Sequence, residues 1–134
     1  MATVLDTGSS QPNNGSASTN IPVTASPVKV AEFGLSPYVS TNKIMLSFTA
    51  GVTTTLALPT LLFKIVRDTT VIFTTRSRVE VALGQPQTIS FQAVDLNVPV
   101  GNHAYFVTVE LENPLLNSAS IIGPISFNGV AYSL

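Results

Sequence analysis

His103-Ala-Tyr-Phe-Val-Thr-Val-Glu-Leu-Glu112 decides the fold class. Tyr105, Val107, Val109 and Leu111 fall at every second position, between Phe106, Thr108, Glu110 and Glu112. A strand points successive side chains to opposite faces, so this run has one buried and one wetter face. The same period recurs outward from it. Ile44, Leu46 and Phe48 alternate with Met45 and Ser47, Val79, Val81 and Leu83 with Glu80 and Ala82, and Ile89, Phe91 and Ala93 with Ser90 and Gln92.

Turn chemistry separates these runs. Arg67-Asp68-Thr69, Gly84-Gln85-Pro86-Gln87, Asn97 to Asn102 and Asn113-Pro114 each fall between two of them. Gly123-Pro124 and Asn128-Gly129 bracket Ile125–Phe127, and Asn-Gly is a strong hairpin signal. Strands are expected near 29–36, 43–50, 53–58, 60–67, 70–76, 78–83, 87–94 and 103–112, with one or two more within 119–133. No window carries a capped helical stripe. About eight short strands at this spacing predict an all-β antiparallel sandwich or barrel in a single domain.

The first part of the chain reads differently. Residues 8–20 are Gly-Ser-Ser-Gln-Pro-Asn-Asn-Gly-Ser-Ala-Ser-Thr-Asn, with almost no apolar surface to offset ordering entropy. A short apolar peptide follows, Ile21-Pro22-Val23-Thr24-Ala25-Ser26-Pro27, which its prolines bias to an extended form. The expected organisation is a flexible connector arm over residues 1–27 and a β body over residues 28–134. Ile21, Pro22, Val23, Ala25 and Pro27 are the candidate docking residues of the arm.

Only 10% of residues are charged, 45% are hydrophobic and the formal net charge is −1. A free monomer ordinarily carries more charge to stay dispersed, so part of the surface is expected to be covered by another subunit. No charged side chain follows Glu112, which makes the C-terminal stretch a candidate for core and lateral interface together. Ile121, Ile122, Ile125, Phe127 and Tyr132 are the residues assigned to that interface. Cysteine is absent, which excludes disulfides and thiolate chemistry. No basic start or apolar run marks a signal peptide at residues 1–20. The uncharged window Ile44–Phe63 contains threonines, Gly51 and Pro59 and reads as a pair of strands rather than a membrane span.

Arm, Pro-punctuated peptide and cysteine-free body, ending Ala119-Ser-Ile-Ile-Gly-Pro-Ile-Ser-Phe-Asn-Gly-Val-Ala-Tyr-Ser-Leu134, together resemble the surface proteins of Bacillus-type endospores, namely exosporium proteins and appendage fibre subunits. The resemblance implies a jelly roll like that of tumour necrosis factor and subunits that form trimers. It also implies fibres joined by N-terminal peptides, a location on the spore surface, and anchoring and tip proteins as partners. Those appendage subunits carry N-terminal cysteines for cross-links; this chain has none, so non-covalent docking is expected. A phage or viral capsid-type jelly roll and a glycan-binding sandwich are the alternatives.

Catalytic chemistry finds little support. His103 is the only histidine, and no serine sits in a nucleophile elbow. Glu110 and Glu112 share a strand face, about 7 Å apart, which fits a solvated face better than a cation site. Phosphate-cradling glycine motifs are absent. Lys64, Arg67, Arg76 and Arg78 fall short of a nucleic-acid footprint. Tyr38, Tyr105 and Tyr132 are the only non-phenylalanine aromatic platforms for a sugar, since tryptophan is missing. No cofactor, metal, nucleic acid or membrane is expected. The expected function is a self-assembling structural subunit.

Overall fold

The computed structural model describes residues 2–56, 58–80, 84–114 and 117–134. Nine strands lie among them: β1 (Val4–Asn13), β2 (Ile21–Val23), β3 (Val28–Leu35), β4 (Asn42–Leu56), β5 (Thr60–Arg67), β6 (Thr70–Arg78), β7 (Gln87–Leu96), β8 (His103–Leu111) and β9 (Ser118–Ser133). No helix among the described residues is long and apolar enough to cross a membrane. The strands form two antiparallel sheets. The first has the order β1-β9-β4-β7, with β2 also on β9; the second has the order β3-β8-β5-β6. From β3 onward the chain changes sheet at every connection except the β5–β6 hairpin. That crossing pattern is a jelly-roll sandwich.

The alternation in His103–Leu111 does what its sequence requires. Tyr105, Val107 and Val109 are fully buried between the sheets. They meet Phe63 and Ile65 of β5 and Phe48 and Phe127 of the first sheet in one apolar cluster. Phenylalanine rings stitch the layers together, with Phe33–Phe127 centroids 4.6 Å apart and Phe48–Phe63 5.8 Å apart. Such offset and tilted pairs add about 0.5–1.5 kcal/mol each beyond burial. A polar link crosses the sandwich as well. Arg67 Nη1 lies 2.6 Å from Asp95 Oδ2, and the Tyr105 hydroxyl donates to the same oxygen at 2.8 Å. Burial, then the Asp95 carboxylate, drives the Tyr105 phenol far above its ordinary value, so it stays a donor.

Several expectations are corrected by register. The expected strands 43–50 and 53–58 merge into one, β4, which ends at Leu56 and whose ladder to β9 shifts between Ala50 and Val52; residue 57 falls outside the described residues and residue 58 outside any strand. Gly51 makes that passage tolerable, because a Cβ there would stand 1.8 Å from the Gly123 carbonyl oxygen. The Asn128-Gly129 pair is not a hairpin turn. It continues β9, and Gly129 has its place because Phe33 packs on it. Of the expected strand 78–83, Arg78 ends β6, residues 79 and 80 lie outside any strand, and 81–83 fall outside the described residues.

The largest difference concerns residues 1–27. A free arm is not what the structure contains. Val4–Asn13 pairs with β9 from Tyr132 to Ile125, and Ile21–Val23 pairs with Ile121, Ser120 and Ala119. The composition of residues 8–13 offers no apolar surface, but β9 supplies main-chain partners that composition cannot reveal. Asp6 adds a side-chain anchor, accepting the Ser36 amide at 2.7 Å.

Candidate assembly surfaces

Alternation along β9 divides the five residues assigned to a lateral interface. Ile121, Ile125 and Phe127 point into the core and are essentially inaccessible. Ile122 and Tyr132 have the opposite parity and lie half-buried on the outer face of the first sheet. That face runs in rows set by register. Val4, Tyr132, Lys43 and Leu96 form one row, and Thr7, Val130, Met45 and Val94 the next. Ser9, Asn128, Ser47 and Gln92 follow, then Ser126, Thr49 and Ser90, with the Thr49 and Ser90 hydroxyls 2.9 Å apart. Among the described residues Lys43 is the one charged side chain on it. Met45 and Val94 are exposed, and they border a shallow hollow of about 600 Å³ with Val130, Tyr132 and Phe73.

The outer face of the second sheet is the opposite. Lys29 meets Glu32 at 3.0 Å, Lys64 meets Glu110 at 2.8 Å, and Arg76 meets Glu112 at 2.8 Å. Lys29 also lies 4.4 Å from the Phe106 ring centroid. Glu110 and Glu112 therefore each face a base rather than a shared cation, and no group of three or more metal-ligating side chains occurs among the described residues. Three of the four basic residues considered for nucleic acid are in ion pairs, with Arg67 turned to Asp95.

The docking peptide sits on its own body. Val23 is 4% exposed in the core cluster, and Ile21 packs against that cluster. Pro22, Ala25 and Pro27 face solvent. Ala25 borders an open, polar groove that also touches Glu110, Glu112 and Asn113. His103 has a structural place: Nδ1 lies 2.7 Å from Asp68 Oδ2 and Nε2 lies 2.6 Å from the Pro99 carbonyl oxygen. The hydrogen bond from His103, then the Ala104 amide, holds the Asp68 carboxyl below the usual aspartate range. Of the tyrosines, Tyr105 is buried, Tyr132 is half-buried and Tyr38 is 64% exposed on a loop.

The sequence reading missed Met45, Val94 and Val130. Each belongs to an alternating or β-rich run, so a signal existed; assigning which parity faces outward required the register.

No family model matches the chain, and no curated protein does. Among solved structures, Eiger TNF from S. frugiperda is similar at a TM-score of 0.54 with 10% identity, over 96% of this chain and 91% of that one. This is a likeness of fold. PRD1 vertex protein P5 follows at a TM-score of 0.47 and 12% identity, over 98% of this chain and 99% of that one. A structure of infectious bursal disease virus, Gx strain, gives 0.43 and 13% identity, over 99% of this chain and 37% of that one.

Proposed function

We infer that the chain is a structural building block that associates non-covalently with copies of itself through the outer face of the first sheet. One observation carries this reading: charge is segregated between the two outer faces. Ion pairs line the second sheet, while the first presents hydroxyls, amides and apolar side chains around a single lysine. Interface centres are depleted in charge because a desolvated charge must find a partner, whereas Met and Val pack without that cost. Homotrimers are the proposed lateral unit, in line with the TNF-like fold. The resemblance to endospore surface proteins supplies the proposed setting, a fibre or coat on a spore surface, with a mechanical rather than catalytic role.

Fibre joining through Ile21–Pro27 is the finer part of the reading. In the structure Ile21 and Val23 occupy their own β9. Joining subunits through them means making the same antiparallel pairing between copies, an exchange of identical elements that needs no new surface.

The test is sedimentation velocity of the full chain beside a Met45→Glu/Val130→Glu variant. Both side chains point outward, so the variant should keep its β-rich circular dichroism and sediment as smaller species. A wild-type chain that stays monomeric throughout the micromolar range would overturn the reading.

A further inference from the structure

Asn-Gly occurs twice in the chain, at Asn14-Gly15 and at Asn128-Gly129. Besides its bias to turns the pair has a chemistry of its own. Asparagine is a thermolabile residue. Glycine has no Cβ, so its main-chain nitrogen can approach the carboxamide carbon of the asparagine before it. Both asparagine side chains are exposed to water. What holds the main chain is different at the two places.

Asn128-Gly129 is pinned on both sides. Asn128 faces Ser9 of β1 on one side and Ser47 of β4 on the other, and Gly129 faces Gly8 and Leu46. Bringing the Gly129 nitrogen onto the Asn128 carboxamide means turning the main chain out of both ladders. A central strand opens only together with a large part of the fold.

Asn14-Gly15 is held by much less. It lies in the link between the end of β1 at Asn13 and the start of β2 at Ile21. Asn13 Oδ1 accepts the Gly15 amide over a long 3.4 Å. The Ser18 hydroxyl lies 2.9 Å from the same oxygen and 2.7 Å from the Gly15 carbonyl oxygen. Among the described residues no group bonds to the Asn14 carboxamide itself. One weak bond therefore restrains the Gly15 nitrogen, and the Asn14 side chain can swing onto it. Rotation here breaks no ladder, because the next main-chain bond to β9 is the one from the Thr19 amide to the Ile122 carbonyl.

We propose that Asn14 is a site of spontaneous covalent modification in the folded chain, converted to aspartate and isoaspartate by its own main chain. The Gly15 nitrogen gives its proton to water and bonds to Asn14 Cγ. The Cγ–Nδ2 bond breaks, and the carboxamide nitrogen takes a proton back from water and leaves as ammonia. The five-membered imide that remains takes up one water. Breaking its bond from nitrogen to Cγ gives aspartate; breaking the bond from nitrogen to the main-chain carbonyl carbon gives isoaspartate. Water is the only co-reactant. Either product adds one negative charge to a chain whose formal net charge is −1. The isoaspartyl form also runs the main chain through Cβ, adding a methylene to a link whose ends pair with β9 at Ile125 and Ile121.

The test incubates the full chain, folded, at mildly alkaline pH and follows both asparagines by peptide mapping with mass spectrometry. An isoaspartyl methyltransferase with a labelled methyl donor marks the isoaspartate. Conversion at Asn14 should outrun that at Asn128 by about tenfold or more while the chain is folded, and urea should close the gap. Gly15→Ala should slow conversion at Asn14, because its methyl group stands beside the attacking nitrogen; that Cβ meets only Ser18, with Oγ at 3.3 Å, so the fold is kept. Circular dichroism verifies this. Equal rates at Asn14 and Asn128 in the folded chain would overturn the proposal, as would conversion at Asn14 that needs urea. An Asn14 that converts as fast in Gly15→Ala as in wild type would overturn the main-chain route.

Discussion

Gly8 and Gly129 stand opposite each other across the β1–β9 ladder, and the ring of Phe33 lies over both. A Cβ at Gly8 would come within 2.3 Å of Phe33 Cδ1 and 2.9 Å of the Gly34 carbonyl oxygen; one at Gly129 would come within 2.6 Å of Phe33 Cζ. The first strand is thereby built into the body, because only paired glycines leave room for an aromatic ring between the sheets at that point.

Gly8→Val should accordingly destabilise the fold by about 1–3 kcal/mol, the usual cost of overpacking. Ser9→Ala, one residue on and facing outward, should stay within about 0.5 kcal/mol of wild type. Urea titrations followed by circular dichroism compare the two. Equal midpoints would mean that β1 is not packed as described.

Removing residues 1–13 should cost more than either substitution. The deletion strips β9 of a partner from Ile125 to Tyr132 and leaves an open strand edge. A lowered melting temperature with aggregation is the expected outcome. A truncated chain as stable as wild type would restore the free-arm reading of these residues.

The cross-sheet link offers a graded test. Tyr105→Phe removes one hydrogen bond to Asp95 and should cost about 0.5–1.5 kcal/mol. Asp95→Ala removes the acceptor of both Tyr105 and Arg67 and should cost more, because the buried Tyr105 hydroxyl and the partly buried Arg67 guanidinium both lose their partner. The order of the two urea midpoints is the readout, and a reversed order would show that the link contributes little.

Asp68 gives a pH signature. Its folded carboxyl titrates below the ordinary aspartate range, first through the hydrogen bond with His103 and then through the Ala104 amide. Its contribution is present in full above the unfolded value and is lost as pH falls through the lower folded value. Asp68 is half-exposed, so the effect is modest. Melting curves at falling pH should show a shallower acid decline for Asp68→Asn than for wild type. Asparagine tolerates the positive φ of 57° at this turn, so backbone strain does not mask the comparison. Parallel declines would remove the His103–Asp68 contact from the acid response.

Much of the fold was legible where a strand carries its own pattern. β5 was bounded correctly at 60–67 because Leu61, Phe63 and Ile65 alternate and Asp68 turns the chain. β3 and β8 were legible for the same reason. β1 was not, since its polar side chains are held by main-chain pairing with a strand at the other end of the sequence. Gly123 and Asn128-Gly129 were read as turn signals, although the first occupies a ladder irregularity with a φ of 91° and the second makes room for Phe33. The assembly face was only half legible. The uncharged C-terminal stretch was seen, but a change of one residue in parity separates Phe127 in the core from Val130 and Tyr132 outside.

Self-association through the first sheet has a direct measurement. The chain contains no cysteine, so one introduced thiol reports alone. Ser47 at the centre of the first sheet's outer face and Thr108 at the centre of the second's are both half-buried in the isolated chain. Alkylation rates of Ser47→Cys and Thr108→Cys therefore compare coverage by a partner. The account predicts slow labelling at Ser47→Cys and rapid labelling at Thr108→Cys, with the slow rate rising on dilution. Equal rates at assembling concentrations, or protection at Thr108→Cys instead, would contradict it.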